Sequence, residues 1–198
     1  MTLDSHVHFW RAADGYSVWI RHKIAGLDPD FTLDALREAG AAAGVAGVVL
    51  VHATEEAAVT PCLLRLAQSK PLIRAVIGWA DPTDPSMPRQ LDGFMALSHK
   101  FRGLRVMPAF VDAAPLLGAV ALANWRELAS RGLTLDLLLA PSQLPLTMQL
   151  QDRVPGLRFM LNHCGRPLTT TGEVEPWATA LRAVARETNI SCKLSSLA

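Results

Sequence analysis

The 198-residue sequence predicts an α/β fold, a TIM-type (β/α) barrel that is incomplete, with seven of its eight strands present. Three observations predict it. Short apolar runs alternate with stretches of helical periodicity along the whole chain, which marks βαβ units around a parallel sheet. Polar residues (His8, His52, Asp81, Arg105, His163 and Lys193) recur at the C-terminal ends of those runs, where a parallel barrel gathers its chemistry. No glycine-rich fingerprint follows the first run; His8-Phe9-Trp10 stands where an open nucleotide-binding sheet would carry it.

The elements follow in order. Leu3–His8 is the first strand, and Thr32–Gly44 reads as a helix opened by a threonine cap and closed by glycine. Gly47–His52 is the second strand, Glu55–Gln68 a helix and Leu72–Trp79 the third strand. Gly103–Met107 is the fourth, followed by a helix at Trp125–Arg131 that Gly132 ends. Leu133–Leu139 is far too short to cross a membrane and reads as a strand buried on both faces. Helix Ser142–Arg153, strand Leu157–His163, helix Val174–Glu187 and strand Ile190–Leu194 complete the set. Residues 1–198 are expected to form one domain that lacks its strand-eight region, because a whole barrel needs about 250 residues. Such a truncated barrel would leave an open seam, through which self-association is expected.

Composition narrows the function classes. A formal net charge of +1, with basic residues scattered, favours neither nucleic acid nor a membrane as partner and leaves a small-molecule substrate. Asp4, His6 and His8 come too early for a secretory signal. Cys62, Cys164 and Cys192 lie far apart without metal-type spacing, which fits a reducing cytoplasm.

Chemistry concentrates in three places. Residues i and i+2 of a strand share a face, so His6 and His8 can converge on one ligand, either a divalent metal or a substrate carbonyl or carboxylate; the alternative is two histidines on an ordinary half-buried strand. His163 follows Leu157, Phe159 and Leu161 in phase and precedes the Gly165/Pro167 break, which places it at a strand end facing the barrel. Lys193 lies inside an apolar strand: inward it binds an anionic group, outward it is solvated. Arg105 poses the same question, as a carboxylate binder or the partner of a nearby helix acid. Asp136 is either inward and functional or bonded to a neighbouring strand. His52 ends the second strand and is a candidate for the mouth of the site, while Trp10, Trp19 and Trp79 are core residues or the floor of a sugar pocket. His22 and His99 read as loop and helix-surface residues. Cys164 has no base beside it to make it a nucleophile.

Asp4-Ser5-His6-Val7-His8-Phe9-Trp10, Gly78-Trp79-Ala80-Asp81, Phe101-Arg102-Gly103-Leu104-Arg105, Leu135-Asp136-Leu137, Phe159-Met160-Leu161-Asn162-His163-Cys164-Gly165-Arg166-Pro167 and Cys192-Lys193-Leu194-Ser195 occur in that order. Together they resemble the lactonase-like branch of amidohydrolase family 2, which contains sugar-lactone, sulfomuconolactone and pyrone-dicarboxylate hydrolases. The resemblance implies a hydrolase that opens a lactone by water attack, with His6, His8 and His163 as catalytic residues. They would either hold one divalent metal, zinc first, or touch the substrate with no metal at all. It implies Arg105 and Lys193 as substrate-binding residues, with His52 and Trp79 beside them. The family usually has Asp where this chain has Asn162. It also places a water-activating aspartate in a Ser-Asp-Trp-Pro-like segment at strand eight. This sequence has no such segment, so feeble or absent turnover is expected of this chain. Alternatives are a metal-dependent decarboxylase of the aminocarboxymuconate type, which also opens with His-x-His, and a non-catalytic fragment or small-acid binder. The Gly78-Trp79 and Cys192-Lys193-Leu194-Ser195 segments favour the lactonase. A TatD-like deoxyribonuclease would bring a metal-binding glutamate where Arg105 stands.

Overall fold

Seven parallel strands alternate with helices in a computed structural model that describes residues 2–10, 30–110, 112–168, 172 and 174–196. The chain divides into two compact units, Met1–Ala80 with Gly93–Arg102, and Asp81–Asp92 with Gly103–Ala198.

In the first unit, β1 (Thr2–Val7), β2 (Val45–Val51) and β3 (Ile73–Gly78) pair in parallel in chain order. Parallel neighbours need crossovers, supplied by α1 (Leu33–Ala41) and α2 (Val59–Ser69). Thr32 caps α1, its hydroxyl accepting from the Ala35 amide at 3.3 Å. Val48, Leu50 and Val51 of β2 are buried, and α2 buries Val59, Leu63, Leu64 and Ala67 along one face. α3 (Met87–Leu97) begins in the second unit and ends in the first.

In the second unit, β4 (Phe101–Val106, whose first two residues belong to the first unit), β5 (Thr134–Leu137), β6 (Arg158–Leu161) and β7 (Ser191–Cys192) are again parallel and in chain order. The crossovers are α4 (Ala119–Ser130), α5 (Leu146–Arg153) and α6 (Trp177–Glu187). Trp125 of α4 is fully buried, and its indole N–H donates to the Leu116 carbonyl at 3.0 Å. Gly103 is required where it stands: a Cβ there would lie well inside contact distance of the Thr134 carbonyl oxygen across the β4–β5 pair.

Each strand expected from the sequence is present, with ends that differ by a few residues. The differences have local causes. α3 is not among the expected helices, because Pro82, Pro85, Pro88 and Gly93 punctuate its sequence; Pro88 falls in the first turn, where no backbone N–H is needed. α4 starts at Ala119 rather than Trp125, because Ala119-Val120-Ala121-Leu122 continue the helix without a breaker. The Ser142–Arg153 stretch is a 3₁₀ turn (Pro141–Gln143) followed by α5, with Pro145 as the N-terminal cap position of the helix. Among the described residues no helix is long and apolar enough to cross a membrane.

Candidate functional site

β1 presents the histidine pair of the first unit. The Nε2 atoms of His6 and His8 lie 3.3 Å apart, with the rings edge to face. The Val51 carbonyl can only accept, so His8 Nδ1 donates to it at 2.8 Å and Nε2 of the neutral ring carries a lone pair. That is how a metal-binding imidazole is oriented by its outer hydrogen bond. Two nitrogens each about 2.0–2.1 Å from one tetrahedral ion are about 3.3–3.4 Å apart. The pair therefore fits two ligand positions of a zinc-like ion. Among the described residues, no group of three His, Cys, Asp or Glu side chains is gathered to hold one.

His52 follows β2 and has no exposed surface. The Thr60 hydroxyl donates to the Trp79 carbonyl at 2.9 Å and accepts from the Trp79 amide at 2.8 Å. Its single proton is thus committed, so His52 Nδ1 must be the donor in the 2.9 Å contact with Thr60, which leaves Nε2 to the Thr54 hydroxyl at 3.0 Å. Thr60 links His52 to the half-buried Trp79, a role invisible in its sequence context. Trp10 is buried and stacked on Phe31 at 5.3 Å, as a core residue; Trp19 and His22 lie outside the described residues.

The second unit carries a buried charged row. Arg105 stands at the end of β4, Asp136 in β5, Asn162 just after β6 and Lys193 just after β7, and all four are buried. Arg105 Nε donates to Asn162 Oδ1 at 3.0 Å, and Asn162 Nδ2 donates to Asp136 Oδ2 at 3.1 Å. Lys193 Nζ donates to the same Asp136 oxygen at 2.6 Å. Lys193 therefore points inward, and the anion it meets within the chain is Asp136. Arg105 answers an asparagine and this β5 acid; Asp136 is both inward and bonded to the residues that follow β6 and β7. Asn162, which the sequence marks only as a departure from the family's aspartate, takes its place in this row through bonds to Arg105 and Asp136.

Beside this row, His163, Cys164 and Arg166 all adopt left-handed φ values of 53°, 52° and 55°, with Gly165 between them at 69°. Such conformations cost side-chain-bearing residues about 1–3 kcal/mol each and concentrate at functional sites. The turn is held by the Cys164 amide on the Lys193 carbonyl at 3.0 Å, and by the Trp177 indole N–H on the Cys164 carbonyl at 2.7 Å. His163 Nδ1 meets the hydroxyls of Ser195 and Ser196 at 2.8 and 3.2 Å. Burial, and then the positive charges of Arg105, Lys193 and Arg166, lower its pKa to about 4, so the ring is neutral at physiological pH. A neutral imidazole can ligate a metal or bond a carbonyl group; an imidazolium cannot ligate.

The chain is 28% identical to an L-fucono-1,5-lactonase of Burkholderia ambifaria over 98% of its own length and 67% of that protein. It is 30% identical to an L-fucono-1,5-lactonase of Burkholderia multivorans over 100% of its length and 68% of that protein. A crystal structure of an amidohydrolase from Burkholderia multivorans with bound zinc superposes with a TM-score of 0.88 at 28% identity, covering 100% of this chain and 70% of that one. The superposition supports the incomplete TIM-type barrel expected from the sequence. The amidohydrolase family model (Amidohydro_2) matches residues 3–198, and the chain belongs to that family.

Proposed function

We propose that this protein is a hydrolase that opens a lactone of a sugar acid, or of a related carboxylic acid, by attack of water on the cyclic ester. The observation that carries the reading is its likeness to the two Burkholderia L-fucono-1,5-lactonases over nearly the whole chain. The local geometry supports it. His6 and His8 offer two imidazole nitrogens 3.3 Å apart, and His163 offers a neutral ring held on a strained turn. In this reading His6, His8 and His163 are the catalytic residues, and the His6/His8 pair would supply two ligand positions to a divalent ion, zinc by the chemistry of the donors. When bound, such an ion supplies Lewis-acid polarisation of the ester carbonyl. Arg105 and Lys193 would hold carboxylate or hydroxyl groups of the substrate. Trp79, and His52 bonded to its backbone through Thr60, are the further substrate-binding candidates. Low charge and the separated cysteines fit a cytoplasmic enzyme acting on small molecules.

The test is hydrolysis of a panel of aldonolactones, L-fucono-1,5-lactone among them, followed by acid release. The expected result is slow opening of one or more of them, with kcat/KM falling at least about 100-fold in His8→Ala. Loss of carbon dioxide from a hydroxybenzoate with no lactone opened would replace this reading by the decarboxylase.

A further inference from the structure

We propose that Asn162 is a positioning residue that ties Arg105 and Lys193 to one carboxylate, Asp136; the proposal rests on the reading that those two cations hold the substrate. The bond directions leave little freedom. A guanidinium only donates, so the Asn162 atom 3.0 Å from Arg105 Nε is the amide oxygen. A carboxylate only accepts, so the atom 3.1 Å from Asp136 Oδ2 is the amide nitrogen. The same Oδ2 receives Lys193 Nζ at 2.6 Å. The chain of donors runs from Arg105 through Asn162 to Asp136, and a second donor arrives there from Lys193. Asn162 supplies the accepting end and the donating end that complete it; leucine of the same size would remove one bond from Arg105 and one from Asp136.

Burial makes the requirement strict. The four residues are between 0% and 7% exposed, so water is excluded from replacing a lost bond. The asparagine is itself held at both backbone ends: its amide donates to the Leu137 carbonyl at 2.9 Å and its carbonyl accepts from Gly165 at 3.1 Å. It thereby fixes the guanidinium of β4 relative to the ammonium that follows β7, two strands that do not adjoin.

The experiment compares the full chain with Asn162→Leu, Asp136→Asn and the double variant. Three readouts are taken at one neutral pH: melting, NMR of the side-chain N–H groups, and KM and kcat on the lactone panel. The slowly exchanging Nε–H signal of Arg105 is assigned by its disappearance in Arg105→Lys. Asn162→Leu is expected to lose that signal, to melt about 5–10 °C lower, and to raise KM about tenfold with kcat within about twofold. Because both residues act through one network, the double variant should raise KM about as much as the worse single change, rather than by the product. An Asn162→Leu protein that keeps the Arg105 signal and the parental KM overturns the proposal, and so does a multiplicative double variant. A parent chain that opens no lactone defeats the lactonase reading instead, and the NMR and melting arms still decide the role of Asn162.

Discussion

At the scale of residues, the charge on His163 is the most testable quantity. Its ring titrates near pH 4 because burial, Arg105, Lys193 and Arg166 all oppose protonation. The folded midpoint lies below the ordinary value of 6.5, so between about 6.5 and 4 the unfolded chain binds a proton that the folded chain refuses. The contribution to stability is therefore complete above pH 6.5 and is lost as pH falls through that window. Following the His163 ring by NMR should give a midpoint near 4, and Arg166→Gln should move it upward; a midpoint near 6.5 in the parent would contradict the described burial. The His-x-His pair was legible in the sequence because strand geometry alone puts i and i+2 on one face. The partners of Arg105, Lys193 and Asp136 were not. They depend on strand register, which pairs Arg105 with Asp136 and Leu161 with Cys192, and the bonding choices within one strand do not reveal it.

At the scale of elements, two glycines make opposite predictions. Gly103 of β4 faces the Thr134 carbonyl so closely that Gly103→Ala must push two strands apart, and a drop in melting temperature of more than about 5 °C is expected. Gly93 sits exposed within α3, and a Cβ added there would meet open space, so Gly93→Ala should raise the melting temperature by about 2–4 °C, through helix propensity alone. Calorimetry on the two variants checks both, and a stabilised Gly103→Ala would refute the close approach. These elements also show where sequence patterns reach their limit. β2 was recognisable, as Gly47–His52 against the observed Val45–Val51, because a strand buried on both faces is a continuous apolar run. α3 was hidden because its prolines resemble loop punctuation, and what rescues it lies in bonds: Asp84 accepts from the Ser86 amide at 2.7 Å and from Gln90 at 2.9 Å, organising the first turn.

At the scale of the whole molecule, charge is nearly balanced, with 19 basic and 18 acidic residues and an isoelectric point near 7.8. Colloidal repulsion is weakest there, so light scattering should be greatest near pH 7.8 and lower at about pH 6 and about pH 9.5. Scattering that ignores pH would point to apolar contact instead. The left-handed turn at His163 has a separate consequence, and it is optical. The Trp177 indole is bonded to the backbone carbonyl of Cys164, one residue from the His163 ring and within the turn that carries it. Indole emission responds to the strength of that bond and to the field around it, so any molecule that reorders the turn writes a signal into the colour of a fluorophore the chain already owns. Replacing the five tryptophans with a fluorinated analogue would give Trp177 its own resonance, and the occupancy of the site could be followed without a labelled ligand.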